Sequence, residues 1–297
     1  MENQKMKKTL FIATAVLALV SCNKAVPESF DGQIQFRLTF PATKATAASF
    51  EAGDVVSLYA VAWNGDEQMP LQIGGNWANN EKLSFNGTGW STERPVYWPD
   101  DACDFYAIYP YQPSIGSIEK YPFSVALDQN SAKTAESLGG YEASDLLFAC
   151  AEGAERYAGE VNLAFHHLLS KLIVKVEKGP KFEGEIPDDI IAHIYNTVTD
   201  CTIDWAHGSV EKYIFGAKNT ITMHKLSNER FEAVLVPQNI EKRTPLIELT
   251  MGGIAYLLEY SLSFRPGYVH TVTLTLNTSP DQEQIDISID PGIEDWN

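Results

Sequence analysis

Apolar and polar residues alternate between 33 and 40, with Ile34, Phe36, Leu38 and Phe40 in one set and Gln33, Gln35, Arg37 and Thr39 in the other. A period of two sends successive side chains to opposite faces, so this run predicts a half-buried strand, which Pro41 ends. Short apolar runs follow at 55–63, 83–85, 95–98, 105–109, 123–127 and 146–150, separated by turn-forming clusters such as Asn64-Gly65-Asp66 and Asn86-Gly87-Thr88-Gly89. Residues 151–160, AEGAERYAGE, have no apolar period and read as a joint between domains. A second series then runs through 161–165, 171–176, 191–198, 201–205, 209–215, 220–223, 231–236, 246–250, 256–262, 270–276 and 285–289. Helical period is scarce, with single turns expected at 131–138 and 166–170. Many short strands bounded by turns predict β-sandwiches rather than βαβ units, and no repeat at solenoid or propeller spacing interrupts them. The expected division is a domain at 33–160 and another at 161–297.

The region before the first strand has a different character. Lys5, Lys7 and Lys8 precede an apolar run from 10 to 20, which ends at Ser21 and Cys22. A basic segment, a short apolar segment and a small residue before a cysteine are the parts of a lipoprotein signal, so residues 1–21 are expected to be removed and Cys22 lipidated. The run is about half the ~20 residues needed to span a bilayer. A cleaved signal with Cys22 as an ordinary buried thiol is the alternative. Residues 22–32 are polar and suit a tether.

Charge narrows the partners. Loss of the signal takes three lysines and one glutamate, so the formal charge moves from −17 to −19. Phosphate binding needs a basic footprint, so nucleic acid is not an expected partner. Three further cysteines, Cys103, Cys150 and Cys201, are too few and too uneven for a disulfide framework. They are expected as buried thiols, with a bridge between Cys103 and Cys150 as the alternative. No CxxC spacing or His/Cys cluster supports zinc, so no metal or other cofactor is expected.

Catalytic signatures are equally sparse. GxSxG, HExxH and GxxxxGK[ST] are all absent, and no catalytic residue is assigned. His166-His167 would point to opposite faces of a strand and reads as structural. Asp100, Asp101 and Asp104 lack the spacing of a calcium loop and read as a solvated turn. Trp63, Trp77, Trp90, Trp98, Tyr106, Tyr109 and Tyr111 could stack on sugars, but alternation assigns most of them to packing. Trp77 and Trp90, set in Gly/Asn-rich turns, are the better ligand candidates.

Phe50-Glu51-Ala52-Gly53-Asp54 before an apolar strand, Val96-Tyr97-Trp98-Pro99, Asp104-Phe105-Tyr106-Ala107-Ile108-Tyr109-Pro110 and Asp145-Leu146-Leu147 together resemble the N-terminal half of the fimbrillin family, including its Mfa-like members. Phe165, His167, Leu169-Ser170-Lys171-Leu172, Val236-Pro237-Gln238, Phe264 with Gly267-Tyr268, and residues 293–296 resemble its C-terminal half. The order and spacing of these motifs carry the resemblance, from about residue 34 to the end. It implies an all-β fold of two tandem transthyretin-like Greek-key β-sandwich domains, and a non-enzymatic subunit of a type V pilus.

The resemblance also implies a route of assembly. The precursor is expected at the outer membrane through lipidated Cys22, and then in a cell-surface fimbrium with other pilin subunits as partners. A protease removes the N-terminal segment with the first strand, carrying Ile34, Phe36, Leu38 and Phe40, and a strand from another subunit enters the groove. Cleavage is expected after Lys44, in the loop before Phe50; arginine is usual in the family, and Arg37 lies inside the strand. Ile285, Ile287 and Ile289, with Asp286 and Ser288 between them, suit a donor strand, or else form the last strand of their own sandwich. The rival reading is an uncleaved outer-membrane lipoprotein that binds a glycan or host protein through loop aromatics, and a hydrolase is the third.

Overall fold

A computed structural model describes residues 32–39, 49–156, 159–278 and 287–296. Residues 1–21, expected as a signal, and Cys22, Phe40, Lys44 and Ile285 lie outside the described residues. In the first half the elements are β1 (Phe36–Thr39), β2 (Val55–Ala62), β3 (Ala78–Phe85), β4 (Trp90–Thr92), β5 (Cys103–Tyr109), β6 (Tyr121–Ser124), α1 (Gly140–Ser144) and β7 (Leu147–Ala154). The second half supplies β8 (Val161–Ala164), β9 (His166–His167), β10 (Ser170–Lys181), β11 (Ile191–Val198), β12 (Asp200–Asp204), β13 (Ser209–Lys212), β14 (Lys218–Thr222) and β15 (His224–Ser227). It continues with β16 (Arg230–Leu235), β17 (Asn239–Ile240), β18 (Pro245–Met251), β19 (Ile254–Glu259), β20 (Leu262–Ser263), β21 (Tyr268–Thr278) and β22 (Ile287–Asp295).

The protein is all-β. A six-stranded sheet runs β4-β3-β2-β5-β7-β9, a five-stranded sheet β15-β16-β10-β21-β22, and a four-stranded sheet β14-β11-β18-β19. Three smaller pairings complete it: β1-β8, β13-β12-β6 and β17-β20. Strands β1 and β6 of the first half pair with β8 and β12 of the second.

Burial follows the pattern of each strand. All of β5 and the middle of β2 are buried, as expected for strands covered on both faces. Leu58 lies opposite Ala107 and Ala60 opposite Phe105, so these four share one face; Tyr59 and Tyr106 share the other. The Tyr59 face joins a continuous apolar cluster with Leu172, Val174, Phe231, Leu235 and Leu274 of the second half. Phe105 packs edge-on against Phe36 of β1 at 5.6 Å. The central sheet is therefore held between the β1 strand and the core of the second half.

Several local expectations change. Residues 131–138 and 166–170 are not helical; the short helix is Gly140–Ser144, and His166–His167 pairs with β7 as a strand. The first four residues of the expected joint at 151–160 extend β7, with Ala154 opposite Cys103. Cys103, Cys150 and Cys201 are free thiols. Cys150 lies opposite Tyr106 rather than Cys103, so the antiparallel register separates the two sulfurs of the expected alternative. Asp104 is fully buried rather than part of a solvated turn. Its carboxylate accepts hydrogen bonds from Trp63 Nε1 at 2.9 Å, Gln68 Nε2 at 2.8 Å and the Gly153 amide at 2.7 Å.

Burial pushes all three thiols up to about 12. They stay protonated at pH 8, and the thiolate is the reactive form. In a Cys22→Ser chain, an aromatic disulfide reagent at pH 8 is expected to leave the buried Cys103 and Cys201 unlabelled until denaturant is added and to reach the half-buried Cys150 only slowly. Rapid labelling of the native chain would contradict this packing.

Candidate functional site

The first strand sits in a slot made by sequence-distant segments. Ile34, Phe36 and Leu38 are buried, whereas Gln35, Arg37 and Thr39 are exposed, as the alternation predicts. Strand β1 pairs in parallel with β8, Phe36 lying opposite Val161 and Thr39 opposite Ala164. The Val161 amide donates to Gln35 O at 2.8 Å and the Phe165 amide to Thr39 O at 3.0 Å. On its other flank, Ile34 donates to Val96 O at 2.8 Å and Trp98 to Gly32 O at 2.9 Å. Full burial of three such side chains contributes roughly 5–9 kcal/mol, an upper estimate because the unfolded chain is already partly collapsed. The chain is anchored again just after the predicted Lys44 loop, where Phe50 packs against Trp90, Tyr109 and Phe165 at 4.9, 5.8 and 5.5 Å.

The C-terminal strand is an edge strand. β22 pairs antiparallel with β21, Ile287 opposite Leu276 and Ile289 opposite Leu274. Both isoleucines are half-buried, and β22 is exposed from Asp290 to Asp295. The element after it is not: Trp296 is only 2% exposed. Its ring stacks on His167 at 3.6 Å with an interplanar angle of 9°, and its amide donates to Gly267 O at 2.8 Å. Gly267 has φ +71°, a conformation that glycine adopts at little cost, and its own amide donates to Leu169 O at 2.8 Å.

This tryptophan covers a buried ionic cluster. Asp145 Oδ1 faces His167 Nδ1 at 2.7 Å, and Lys171 Nζ lies 5.7 Å from the Trp296 ring and 2.5 Å from Glu232 Oε2. Tyr141 donates to Glu232 Oε2 at 3.0 Å, and Arg230 donates to Glu232 Oε1 through Nε at 2.9 Å and Nη2 at 2.6 Å. Burial works to raise the Glu232 carboxyl, but Lys171 and Arg230 outweigh it and hold the group below its ordinary range. Burial lowers the Lys171 ammonium against the opposing pull of Glu232 and Asp145. A desolvated pair with such complete bonding fixes geometry more than it adds net stability.

The sequence profile of the fimbrillin-like family matches residues 43–296. The chain belongs to the fimbrillin-like family. Solved structures with the same fold include a candidate cell adhesion protein from Bacteroides uniformis, 23% identical, covering 90% of this chain and 100% of that one with a TM-score of 0.67. Another, from Bacteroides ovatus, is 15% identical over 89% of this chain and 98% of its own, also at 0.67. A fimbrial protein from Bacteroides vulgatus is 16% identical over 89% and 99%, at 0.51. No curated protein matches by sequence. As a fimbrillin-like protein the chain is a structural or adhesive subunit of a cell-surface fimbrium, not an enzyme, and assembles with other subunits.

The motifs that carry the fimbrillin-like resemblance meet in space as structural ties. Asp145, His167, Lys171 and Trp296, far apart in the chain, form the cluster just described. Asp54 Oδ2 accepts from the Glu51 amide at 2.8 Å, closing the turn before β2. Gln238 bonds Val198 in both directions, through Oε1 and Nε2, each at 2.9 Å. Sequence reasoning placed these residues in motifs but missed their convergence, because no local periodicity reports a contact between separate segments. The aromatic candidates also separate. Trp98, Tyr106 and Tyr109 are core residues, and Trp90 is closed in by Phe50 at 4.9 Å and Phe85 at 5.1 Å. Trp77 remains 52% exposed.

Removing the Trp296 ring should cost about 3–5 kcal/mol. Trp296→Ala is expected to lower the urea midpoint accordingly and to speed amide exchange in β22 while β2 and β5 stay protected. Unchanged exchange in β22 would contradict the role of Trp296 as its lock.

A second prediction concerns pH. His270, buried in β21 opposite Ile293 of β22, accepts the Arg265 amide through Nε2 at 3.1 Å; burial first and the Arg265 charge second lower it from 6.5 to about 4. The unfolded chain then binds a proton between those values that the folded chain refuses. Stability is complete above pH 6.5 and falls towards pH 4, by ~3 kcal/mol for this group. Urea unfolding across that window should show the slope, and His270→Gln should flatten it; an identical slope in the variant would contradict the assignment.

Proposed function

We propose that the chain is a lipoprotein precursor of a pilus subunit that assembles by donor-strand exchange. Lipidated Cys22 holds it at the outer membrane, cleavage after Lys44 releases residues up to β1, and the strand of another subunit takes the vacated slot. Residues 33–160 and 161–297 act in this reading as two sandwich domains, and the slot draws one flank, Val96–Trp98, from the first and the other, β8, from the start of the second.

The observation that carries the proposal is the way β1 is held. The side chains of Ile34, Phe36 and Leu38 are buried and its main chain pairs with β8, yet residues 42–49 before Phe50 are small and polar with one basic residue, Lys44. A cut there leaves Phe50 anchored among Trp90, Tyr109 and Phe165. Loss of β1 strips partners from Val96 O and from the amides of Trp98, Val161 and Phe165, and exposes apolar pockets beside Phe105. Unpaired edge groups over apolar pockets are what an added strand satisfies. Ile285, Ile287 and Ile289 repeat the every-second-residue spacing of Ile34, Phe36 and Leu38, so β22 of one subunit offers a matching row to the slot of the next. Donation requires β22 to leave β21 and Trp296 to leave His167.

The test is limited digestion of the full monomeric chain with a trypsin-like protease. One early cut after Lys44, followed by oligomers that resist heating in detergent, is expected, and Lys44→Ala should abolish both. A cut chain that stays monomeric, or that unfolds without assembling, would overturn the proposal.

A further inference from the structure

We propose that the open pocket between Trp77 and Tyr97 is a saccharide-binding site that receives the apolar face of a pyranose ring. The pocket has a volume of about 400 Å³ and is lined by Trp77, Asn79, Glu81, Arg94, Val96 and Tyr97. That volume falls in the range of small-molecule sites, ~300–1,000 Å³.

Both aromatic residues are exposed, the Trp77 ring held by a hydrogen bond and Tyr97 through its backbone. Trp77 is 52% and Tyr97 51% exposed, although large aromatic side chains gain most from burial. The Trp77 indole N–H donates to Tyr97 O at 2.7 Å, which sets the plane of the ring. Tyr97 is held in turn by the main-chain bonds on either side of it, from Ile34 to Val96 O and from Trp98 to Gly32 O. A platform whose rotamer and backbone are both set loses little entropy when a ligand arrives.

The polar rim completes the chemistry. Glu81, with its side chain 6% exposed, binds the Arg94 guanidinium at 2.7 Å and the Arg94 amide at 2.9 Å, while the Arg94 side chain itself is 79% exposed. The guanidinium is thus held in one orientation with its outer edge turned to solvent. An aromatic face is electron-rich and attracts the weakly positive C–H groups of a sugar ring. Planar polar groups at the rim can bond the hydroxyls at the ring edge. Because Glu81 neutralises Arg94 and the chain carries a formal charge of −17, a neutral sugar fits better than an anionic one. The site is argued for the uncut chain, because the Ile34 and Gly32 bonds that steady Tyr97 belong to the segment before Lys44.

Trp77 also provides its own readout, because it is the one exposed tryptophan of the six. The full chain is titrated with glucose, galactose, mannose and N-acetylglucosamine, each as methyl glycoside and hexasaccharide, up to about 10 mM, tenfold above a millimolar Kd. At least one sugar is expected to shield tryptophan fluorescence from acrylamide and to give a saturable calorimetric signal. Trp77→Ala and Tyr97→Ala, with native circular dichroism and melting, should each weaken binding about tenfold or more, and Trp77→Phe should restore part of it. The proposal fails if no sugar protects the fluorescence or if folded Trp77→Ala binds as well as the parent.

Discussion

The fold depends on a strand that the chain lends to itself. Ile34, Phe36 and Leu38 fill one flank of the central sheet, and their backbone joins β8 on one side and the Val96–Trp98 segment on the other. The slot engages this segment through main-chain groups and every second side chain, the two features by which an added strand is recognised. Burial of these side chains closes the slot, and the segment that follows carries one basic residue, Lys44.

The other end of the chain is secured differently. β22 is exposed over most of its length and makes a single pairing with β21, but Trp296 beyond it is buried against His167 and Lys171. The cluster beneath, Asp145, Glu232, Tyr141 and Arg230, draws on both halves of the chain and holds its geometry through charge-assisted hydrogen bonds. One aromatic ring therefore restrains a strand whose own contacts are modest. In the same sheet His270, opposite Ile293 of β22, accepts the Arg265 amide through Nε2.

Much of this is legible in the sequence. Period-two alternation gives the inward face of β1, and the turn clusters give most of the later strands, because both signals are local. The partner of β1 is not local: β8 lies more than a hundred residues downstream, and the parallel pairing leaves no trace in either segment. The helix Gly140–Ser144 begins at a glycine whose added Cβ would meet Asp128 O at 2.0 Å, so packing rather than helical propensity decides its place. Asp104 resembles its exposed neighbours Asp100 and Asp101 in sequence, and only the fold brings Trp63, Gln68 and Gly153 around it. Trp77 and Trp90 occupy similar turns, and the difference between them lies in Phe50 and Phe85, which close over Trp90 alone.

The central claim is that β1 is a temporary occupant of its slot. The most direct measurement is the N-terminal sequence of subunits recovered from sheared surface fibres. Chains beginning at Ala45, without Ile34, Phe36 and Leu38, are the result this account predicts. Fibre subunits that still carry those residues, or that begin at a lipidated Cys22, would contradict it.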